Sequence, residues 1–376
     1  MIGLIAPYDS IGQDEKDVVE DAMGRILSGF LAGQRRGGFY VCALEDDWCE
    51  KFGVKHAIAC NSATSGLLAA AFAVGLGKGD EFLVPALTMS ATAAAPMFTG
   101  ATPIFGDVDD RYFALSLTDI QKRPKAVFLT HLFGAAIDES WWAGWGRQEG
   151  VKVIVDAAQS PLAKEPKSDR YAGTIADIGV FSLNVHKHFQ CGEGGMIVTN
   201  DGTLAEEMRH FINHGENADR QIGLNLRMTE VSAAIALSQL YKAETLVQGR
   251  IDQAEAILAA IGPIPGLRWP PPDYKGSRNV YYTIPFLIDL PKTLDDWKRR
   301  PEFCAMLRGL GVPIVEGYVT PLYRMPAFSM FDRPCPVAED LHDHRLLYFE
   351  NCAYSPTDAQ IRLIGDAFKM AAEQCL

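Results

Sequence analysis

Residues 56–74 read HAIACNSATSGLLAAAFAV, and this stretch decides the fold. The apolar run His56–Cys60 predicts a short buried strand, and the alanine- and leucine-rich run Ser62–Val74 predicts a helix. Only Asn61 separates the two runs, so the strand passes through a tight turn directly into the helix. This unit is typical of an α/β sheet in which helices connect parallel strands.

The same alternation continues to about residue 200. Short apolar runs predict further strands, and Met89–Phe98 predicts a helix between two of them. The predicted strands are Glu81–Pro85, Thr102–Phe105, Ala126–His131, Lys152–Asp156, Gly179–Ser182 and Met196–Thr199. Strands spaced by helices give crossover connections and a sheet that is buried on both faces. The sequence therefore predicts an α/β fold with a mostly parallel central sheet sandwiched by helices.

The last third of the chain has a different pattern. A long helix is predicted over Thr229–Ala259, and the proline- and glycine-rich break Gly262–Ser277 follows it. Strand-like Tyr281–Ile288 and a closing helix over Asp358–Gln374 come after the break. We expect an N-terminal arm and a large domain over residues 1–250, and a smaller C-terminal α+β domain over residues 251–376.

Composition excludes some classes of function. The chain has 376 residues, of which 48% are hydrophobic, and its formal net charge is −12. An acidic chain is a poor binder of nucleic-acid backbones and of anionic membranes, so neither partner is expected. The start of the sequence lacks the pattern of a secretory signal, and the eight cysteines are scattered without CxxC spacing. We therefore expect a cytoplasmic protein with reduced thiols.

Three stretches carry chemistry, and the first is NSATS at Asn61–Ser65. Backbone amides at a helix start, together with the hydroxyls of Ser62, Thr64 and Ser65, can bind a phosphate. Ordinary helix capping by serine or threonine is the alternative interpretation of the same residues.

The second stretch is VIVDAAQS, residues 153–160. An apolar strand places Asp156 at its carboxyl end, which is where open α/β sheets bind ligands, and Gln159 follows three residues later. A carboxylate at this place can bind a protonated ring nitrogen or a metal ion. The alternative is an aspartate that caps the next helix.

The third stretch is VFSLNVHKHFQCGEGG, residues 180–195. Ser182 ends a strand, and Lys187 follows in a loop between His186 and His188. A lysine that loses its proton readily can attack a carbonyl group, although a solvated surface lysine is the alternative. The two histidines have no third ligand at a suitable spacing, so no metal site is predicted.

These stretches together match the requirements of one cofactor, pyridoxal 5'-phosphate. Its phosphate needs amides and hydroxyls, its ring nitrogen needs an acid, and its aldehyde needs a lysine amine. The sequence supplies all three in order, at Thr64, Asp156 and Lys187.

The motifs resemble those of the DegT/StrS-type nucleotide-sugar aminotransferases, which have the aspartate aminotransferase fold. The resemblance is close to full length and weakens after Gly262. It is carried by SGFLAG near Gly29 and by FGVKHAIACNSATSGL, VDAAQS, FSLNVHKHFQCGEGGMIVTND and GLNLRMTEVSAAIALSQL.

The resemblance implies a role for each matching residue. Lys187 corresponds to the lysine that bonds to the cofactor and moves the substrate proton. Asp156 corresponds to the partner of the pyridine nitrogen, and Gln159 to the residue beside the ring hydroxyl. The residues implied to bind the phosphate are Thr64, Ser65 and Ser182, and Ser62 and Ala63 are also expected to contact the cofactor.

Two further positions follow from the same resemblance. Asn225 corresponds to an asparagine that reaches the phosphate of the neighbouring subunit's cofactor, so a homodimer with shared active sites is implied. Met89 stands where the family usually stacks an aromatic or histidine ring on the pyridine, and a thioether can also pack on a ring face.

The implied reaction is the transfer of an amino group from glutamate to a nucleotide-linked keto-deoxysugar, at its 3- or 4-position. A nucleotide-sugar dehydratase is the first alternative, although some relatives of that type replace the lysine by histidine and this chain retains Lys187. A non-catalytic sugar-binding or regulatory relative is the second alternative. The loop residues Arg35, Arg36, Lys275 and Arg278 are candidates to contact a diphosphate, with surface charge as the alternative.

Overall fold

The computed structural model describes residues 2–25, 36–116, 123–166, 168–215, 222–269, 277–289, 296–331 and 333–376. The chain begins with a short strand and two helices. These are β1 (Ala6–Pro7), α1 (Gln13–Met23) and α2 (Phe39–Phe52). Helix α2 is absent from the sequence prediction.

A seven-stranded sheet follows. Its strands are β2 (His56–Cys60), β3 (Glu81–Pro85), β4 (Thr102–Gly106), β5 (Ala126–Thr130), β6 (Lys152–Asp156), β7 (Ile178–Ser182) and β8 (Gly195–Thr199). The helices between and after them are α3 (Ala63–Ala73), α4 (Ser90–Met97), α5 (Glu139–Glu149) and α6 (Gly202–Ile212). The strand order is β2-β8-β7-β6-β5-β3-β4, and only β8 runs opposite to its neighbours. The predicted mostly parallel sheet is therefore confirmed.

Both faces of this sheet are buried, as the continuous apolar strands predict. Along β6, Val153 and Val155 enter one core cluster and Ile154 enters the other. Helix α3 lies so close to β7 that a Cβ at Gly66 would come within 2.8 Å of the Val180 side chain. The predicted helix over 62–74 thus packs directly on the strand that ends at Ser182.

The long helix α7 (Glu230–Ile261) packs against α1 and α2. Its first residue, Glu230, is buried and accepts hydrogen bonds from the Tyr40 and Val41 amides, at 2.7 and 3.3 Å. A carboxylate at this place offsets the unpaired amides at the start of α2. The start of α2 is therefore stabilised by a side chain about 190 residues later in the chain.

The remaining elements are four strands of a smaller antiparallel sheet, a short strand that pairs with β1, and three α-helices. They are β9 (Leu267–Arg268), β10 (Ile284–Ile288), α8 (Asp296–Gly309), β11 (Ile314–Glu316), α9 (Pro336–Asp340), β12 (Leu346–Phe349), β13 (Tyr354–Ser355) and α10 (Asp358–Cys375). The strand order is β11-β12-β10-β9, with every pair antiparallel. The predicted smaller C-terminal α+β unit is confirmed.

The division at residue 250 remains a prediction. Helix α7 is continuous through that position. Strand β1 pairs with β13, so the N-terminal arm is hydrogen-bonded to the C-terminal segment.

None of the described helices is long and apolar enough to cross a membrane. The eight cysteines all lie in described residues and form no disulfide.

Candidate active site

The candidate residues gather at the carboxyl-terminal edge of the main sheet. Ser182 at the end of β7 pairs with Gly195, and Gly195 also pairs with Cys60 at the end of β2. A Cβ at Gly195 would lie 2.6 Å from the Ala63 amide, so this position needs glycine. Ser182 and the start of α3 are therefore neighbours, as a shared phosphate site requires.

The start of α3 is a capped helix end, and its first backbone amides are hydrogen-bond donors. Ser62 is the N-cap residue, and its Oγ accepts a hydrogen bond from the Ser65 amide at 3.1 Å. The Ser65 hydroxyl donates to Asn61 at 2.6 Å. Capping is thus confirmed. The first amides of the helix, at Ala63 and Thr64, have no partner within a helix and remain suited to an anion.

Asp156 lies at the end of β6 and is only 5% exposed. Its carboxylate accepts hydrogen bonds from the Thr92 hydroxyl at 2.7 Å and from the Ala158 amide at 3.1 Å. Burial raises the pKa of Asp156, while these hydrogen bonds and the positive charge of Lys187 act in the opposite direction. A cationic partner would favour the ionised form of this carboxylate.

A row of hydroxyls stands behind Asp156. Thr92 is buried in the first turn of α4, and its Oγ1 lies 3.1 Å from that of Thr88. Thr88 in turn lies 3.0 Å from Thr130 at the end of β5. The row fixes the Thr92 rotamer and hence the direction from which Asp156 receives its hydrogen bond.

Gln159 connects the sheet edge to the smaller sheet. Its Oε1 accepts from the Phe133 amide at 2.7 Å, and its Nε2 donates to the Tyr318 hydroxyl at 2.9 Å. Phe133 has a φ of 62°, a left-handed backbone conformation that is unusual for a non-glycine residue. Both ends of the Gln159 amide are therefore fixed.

Lys187 lies in the loop after β7, which is shaped by hydrogen bonds from its own amide and from the His186 amide to Asn184. Its Nζ lies 4.2 Å from the centroid of the Tyr282 ring. Burial lowers the pKa of Lys187 to about 8, although the negative charge of Asp156 acts in the opposite direction. A substantial fraction of the amine is thus neutral and nucleophilic near pH 7 to 8.

The two histidines beside Lys187 differ in environment. His188 is buried, its Nε2 lies 2.8 Å from the Val280 carbonyl oxygen, and burial lowers its pKa to about 3. His186 is exposed. Among the described residues, no group of three or more metal-ligating side chains is found.

Met89 and Asn225 are both exposed. Met89 is 50% exposed and immediately precedes α4. Asn225 lies next to Leu226, whose carbonyl accepts a hydrogen bond from the Asn61 amide at 2.8 Å. Their contacts with a cofactor, and the cofactor roles of the other site residues, remain predictions.

The two described basic loop residues, Arg36 and Arg278, are paired with acidic side chains. Arg36 pairs with Glu45 and Asp46, and Arg278 lies 3.6 Å from Glu244. Arg36 and Arg278 therefore fit the alternative interpretation, in which they are surface charges and do not contact a diphosphate. Arg35 and Lys275 lie outside the described residues.

Sequence reasoning missed three side chains that contact the predicted site residues: Thr92, Tyr282 and Tyr318. Thr92 follows Met89 by three residues, the spacing at which side chains on one helical face come together. That spacing is the one signal that points to it. The two tyrosines come from the smaller sheet, and no local pattern marks them.

Comparisons with known proteins agree with this geometry. The model of the DegT/DnrJ/EryC1/StrS aminotransferase family matches residues 17–349. The chain belongs to this family. The expected family and enzyme class, a sugar aminotransferase, are thereby confirmed.

Two curated relatives illustrate the range of the family. The GDP-perosamine synthase of Escherichia coli O157:H7 is 32% identical over 81% of this chain and 83% of its own length. The UDP-N-acetyl-3-dehydro-α-D-glucosamine 3-aminotransferase of Acidithiobacillus ferrooxidans is 35% identical over 58% of this chain and 60% of its own length.

A solved structure shows the same fold over nearly the whole chain. The aminotransferase from Psychrobacter cryohalolentis has a TM-score of 0.86 and is 26% identical, with 99% of this chain and 100% of that one covered. The fold of the pyridoxal-phosphate-dependent aminotransferases is therefore confirmed.

Proposed function

We propose that this aminotransferase binds pyridoxal 5'-phosphate and transfers an amino group from glutamate to a nucleotide-linked keto-deoxysugar. One observation carries the proposal. The amine of Lys187, whose pKa is lowered to about 8, interacts electrostatically with the carboxylate of Asp156. This carboxylate is buried at the end of a strand, at the same edge of the sheet. The same edge carries the first backbone amides of α3, at Ala63 and Thr64.

The donor set fits the cofactor. The amides of Ala63 and Thr64 and the hydroxyl of Ser182 are suited to its phosphate. Because Gly195 has no side chain, the start of α3 can lie close to the strand residue that pairs with Ser182. Asp156, with its two hydrogen-bond donors in place, is suited to a ring N–H, and Gln159 lies three residues further along. When bound, pyridoxal 5'-phosphate supplies an aldehyde that takes up an amino group and a ring that accepts electrons from a substrate carbon.

Lys187 has two tasks in this scheme. Its neutral amine holds the cofactor in the resting enzyme, and the released amine then carries a proton at Nζ between substrate and cofactor. A pKa of about 8 suits both tasks, because the protonated and neutral forms are both populated near neutral pH. Asp156, as a buried anion, keeps the ring nitrogen protonated.

The nucleotide and the sugar position stay open within the proposal. One relative is named for a GDP-linked sugar, and another for 3-amination of a UDP-linked sugar. Glutamate as the donor rests on the family resemblance, and a cytoplasmic location is part of the same proposal.

We propose in addition that a second copy of the chain completes the site. Ile222 and Leu224 are 86% and 46% exposed and lie beside Asn225, on a segment that continues to the bridge between Arg227 and Cys60. Exposed apolar residues next to a site are a common mark of a subunit interface. This placement supports the shared homodimeric site that the sequence implies.

A coupled assay tests the proposal. The purified enzyme with added cofactor is supplied with glutamate and, one at a time, with GDP- and UDP-linked 3-keto and 4-keto sugars, and 2-oxoglutarate is measured. We expect 2-oxoglutarate with at least one sugar. Lys187→Ala removes the covalent attachment and the proton carrier, and should lower the rate by at least about 10²- to 10⁴-fold.

The outcome that contradicts the proposal is equally concrete. Formation of 2-oxoglutarate with none of these sugars, or full activity in Lys187→Ala, would overturn it. Conversion of a keto sugar to a deoxygenated product without consumption of glutamate would favour the dehydratase alternative.

A further inference from the structure

A cavity of about 150 Å³ is lined by residues of the C-terminal unit and by His186, the neighbour of Lys187 in the chain. The lining residues include Tyr282, Tyr318, Tyr348, Glu350 and Cys352. These three tyrosines, which we call the tyrosine wall, belong to the smaller C-terminal unit. Tyr318 also carries the hydroxyl that Gln159 contacts, so the cavity adjoins the proposed cofactor position.

The Tyr282 ring lies against the amine of Lys187. The distance from Nζ to the ring centroid, 4.2 Å, is within the range of a cation–π interaction. The negative face of an aromatic ring attracts an ammonium group, and this attraction is larger where water is excluded. The ring thus marks a defined resting place for the lysine amine.

The Tyr282 ring is itself held in position. The Cys352 amide donates a hydrogen bond to the Tyr282 backbone carbonyl at 3.2 Å. The centroid of the His188 ring lies 6.2 Å from the centroid of the Tyr282 ring. Strand β10 begins two residues later, so the backbone at Tyr282 is anchored to the smaller sheet.

Few titratable groups act on the Lys187 amine. Asp156 and Cys352 favour its charged form, and the positive charge of Lys187 in turn disfavours protonation of His188. The Cys352 thiol has a pKa raised to about 12 and is neutral at physiological pH. Asp156 is therefore the anion among the groups that act on Lys187, and a second carboxylate, Glu350, lines the cavity. In the proposed enzyme, the carboxylate of Asp156 is engaged by the ring nitrogen of the cofactor.

We propose that Tyr282 is a positioning residue that holds the Lys187 amine at the cavity wall whenever that amine is not bonded to the cofactor. The inference rests on the proposed function, since it assigns the place from which Lys187 moves the proton. When Asp156 is engaged by the cofactor, the Tyr282 ring face, 4.2 Å from Nζ, is the surface that the ammonium group already contacts.

The test uses matched variants of the full-length enzyme freed of cofactor. Tyr282→Leu removes the ring face and keeps an apolar side chain, Tyr282→Phe keeps the ring, and Tyr348→Leu removes a second ring of the same cavity. The pKa of Lys187 is measured by competitive acetylation with acetic anhydride from pH 6 to 10, quantified by mass spectrometry of the peptide that contains Lys187.

We expect the pKa of Lys187 to fall by about one pH unit in Tyr282→Leu, because the protonated amine loses the ring. Tyr282→Phe and Tyr348→Leu should match the wild type. In the loaded enzyme, the single-turnover rate with glutamate should fall about tenfold in Tyr282→Leu and recover in Tyr282→Phe.

Three results would overturn the inference. They are an unchanged pKa of Lys187 in Tyr282→Leu, an equal change in Tyr348→Leu, and an equal loss in Tyr282→Phe. An unchanged pKa in Tyr282→Leu would show that the ring does not stabilise the ammonium group. An equal change in Tyr348→Leu would indicate altered hydration of the whole cavity, and an equal loss in Tyr282→Phe would assign the effect to the hydroxyl. Because acetylation needs no substrate, the result is independent of whether glutamate and a keto sugar react.

Discussion

The edge of the main sheet and the tyrosine wall surround the same lysine but are built differently. The polar residues at the sheet edge end their strands, so Asp156 and Ser182 owe their positions to β6 and β7. The tyrosine wall comes from loops and a strand of the smaller sheet, more than 90 residues further along the chain. The edge supplies the polar groups that suit a cofactor, whereas the wall supplies shape and an aromatic surface.

The two regions also differ in electrostatics. At the edge, a buried carboxylate is stabilised by a hydroxyl, an amide and a nearby lysine. At the wall, burial raises the pKa of Tyr282, Tyr318 and Tyr348, so these phenols remain neutral. Changes at the edge should therefore alter the charged groups of the proposed chemistry, and changes at the wall should act through the neutral rings that position Lys187 and Gln159.

The largest effect is expected at the edge, from Asp156→Asn. An amide cannot keep a ring nitrogen protonated, so the transamination rate should fall by about 10²- to 10⁴-fold, as for loss of an acid or base in proton transfer. The measurement is the single-turnover rate with glutamate. A loss below about fivefold would contradict the assigned role of the carboxylate.

The same variant separates function from stability. The pKa of Asp156 is raised in the folded chain, so the folded state binds more protons and stability falls as pH rises above the ordinary aspartate range. In the absence of cofactor, the Tm of Asp156→Asn relative to wild type should increase from pH 4 to pH 8. A Tm difference that does not change with pH would show that ionisation of the buried Asp156 does not lower the stability of the folded state.

A smaller effect is expected one step behind the edge. Thr92→Val removes the hydroxyl that donates to Asp156 and keeps the shape of the side chain. Hydrogen bonds to charged groups contribute about 1.5–3 kcal/mol, so cofactor affinity should fall by about 10- to 100-fold. Titration of the cofactor absorbance measures this affinity. Thr92→Ser serves as the control and should remain within about threefold of the wild type.

The smallest effect is expected where the wall meets the edge. Tyr318→Phe removes the hydroxyl that Gln159 contacts and leaves the ring in place. A neutral hydrogen bond contributes about 0.5–1.5 kcal/mol, so cofactor affinity should fall by about 2- to 10-fold. If Tyr318→Phe lowers cofactor affinity more than Thr92→Val does, the proposed division between charged groups at the sheet edge and neutral rings in the tyrosine wall is wrong.

The main sheet could be predicted closely from sequence, because each strand is a short apolar run next to a turn. His56–Cys60, Glu81–Pro85 and Lys152–Asp156 have the predicted bounds. Helix α2 was missed, because its start depends on the distant carboxylate of Glu230 and its buried face alternates with charged residues. Local pattern cannot reveal a cap that comes from α7.

The candidate site follows the same rule. Asp156, Ser182 and Lys187 could be found because each follows a recognisable strand. Tyr282 and Tyr318 could not, since the antiparallel pairing of β10, β11 and β12 brings their loops to the site. A tyrosine beside a strand is common, and nothing in its local sequence distinguishes a wall of the site from ordinary core.

The central claim is that the amine of Lys187 bonds to pyridoxal 5'-phosphate. Reduction of the loaded enzyme with borohydride, followed by digestion and mass spectrometry, tests this claim directly, because reduction makes a bond between lysine and cofactor permanent. The account predicts the added cofactor mass on the peptide that contains Lys187 and on no other. The mass on a different lysine, or on none, would contradict it.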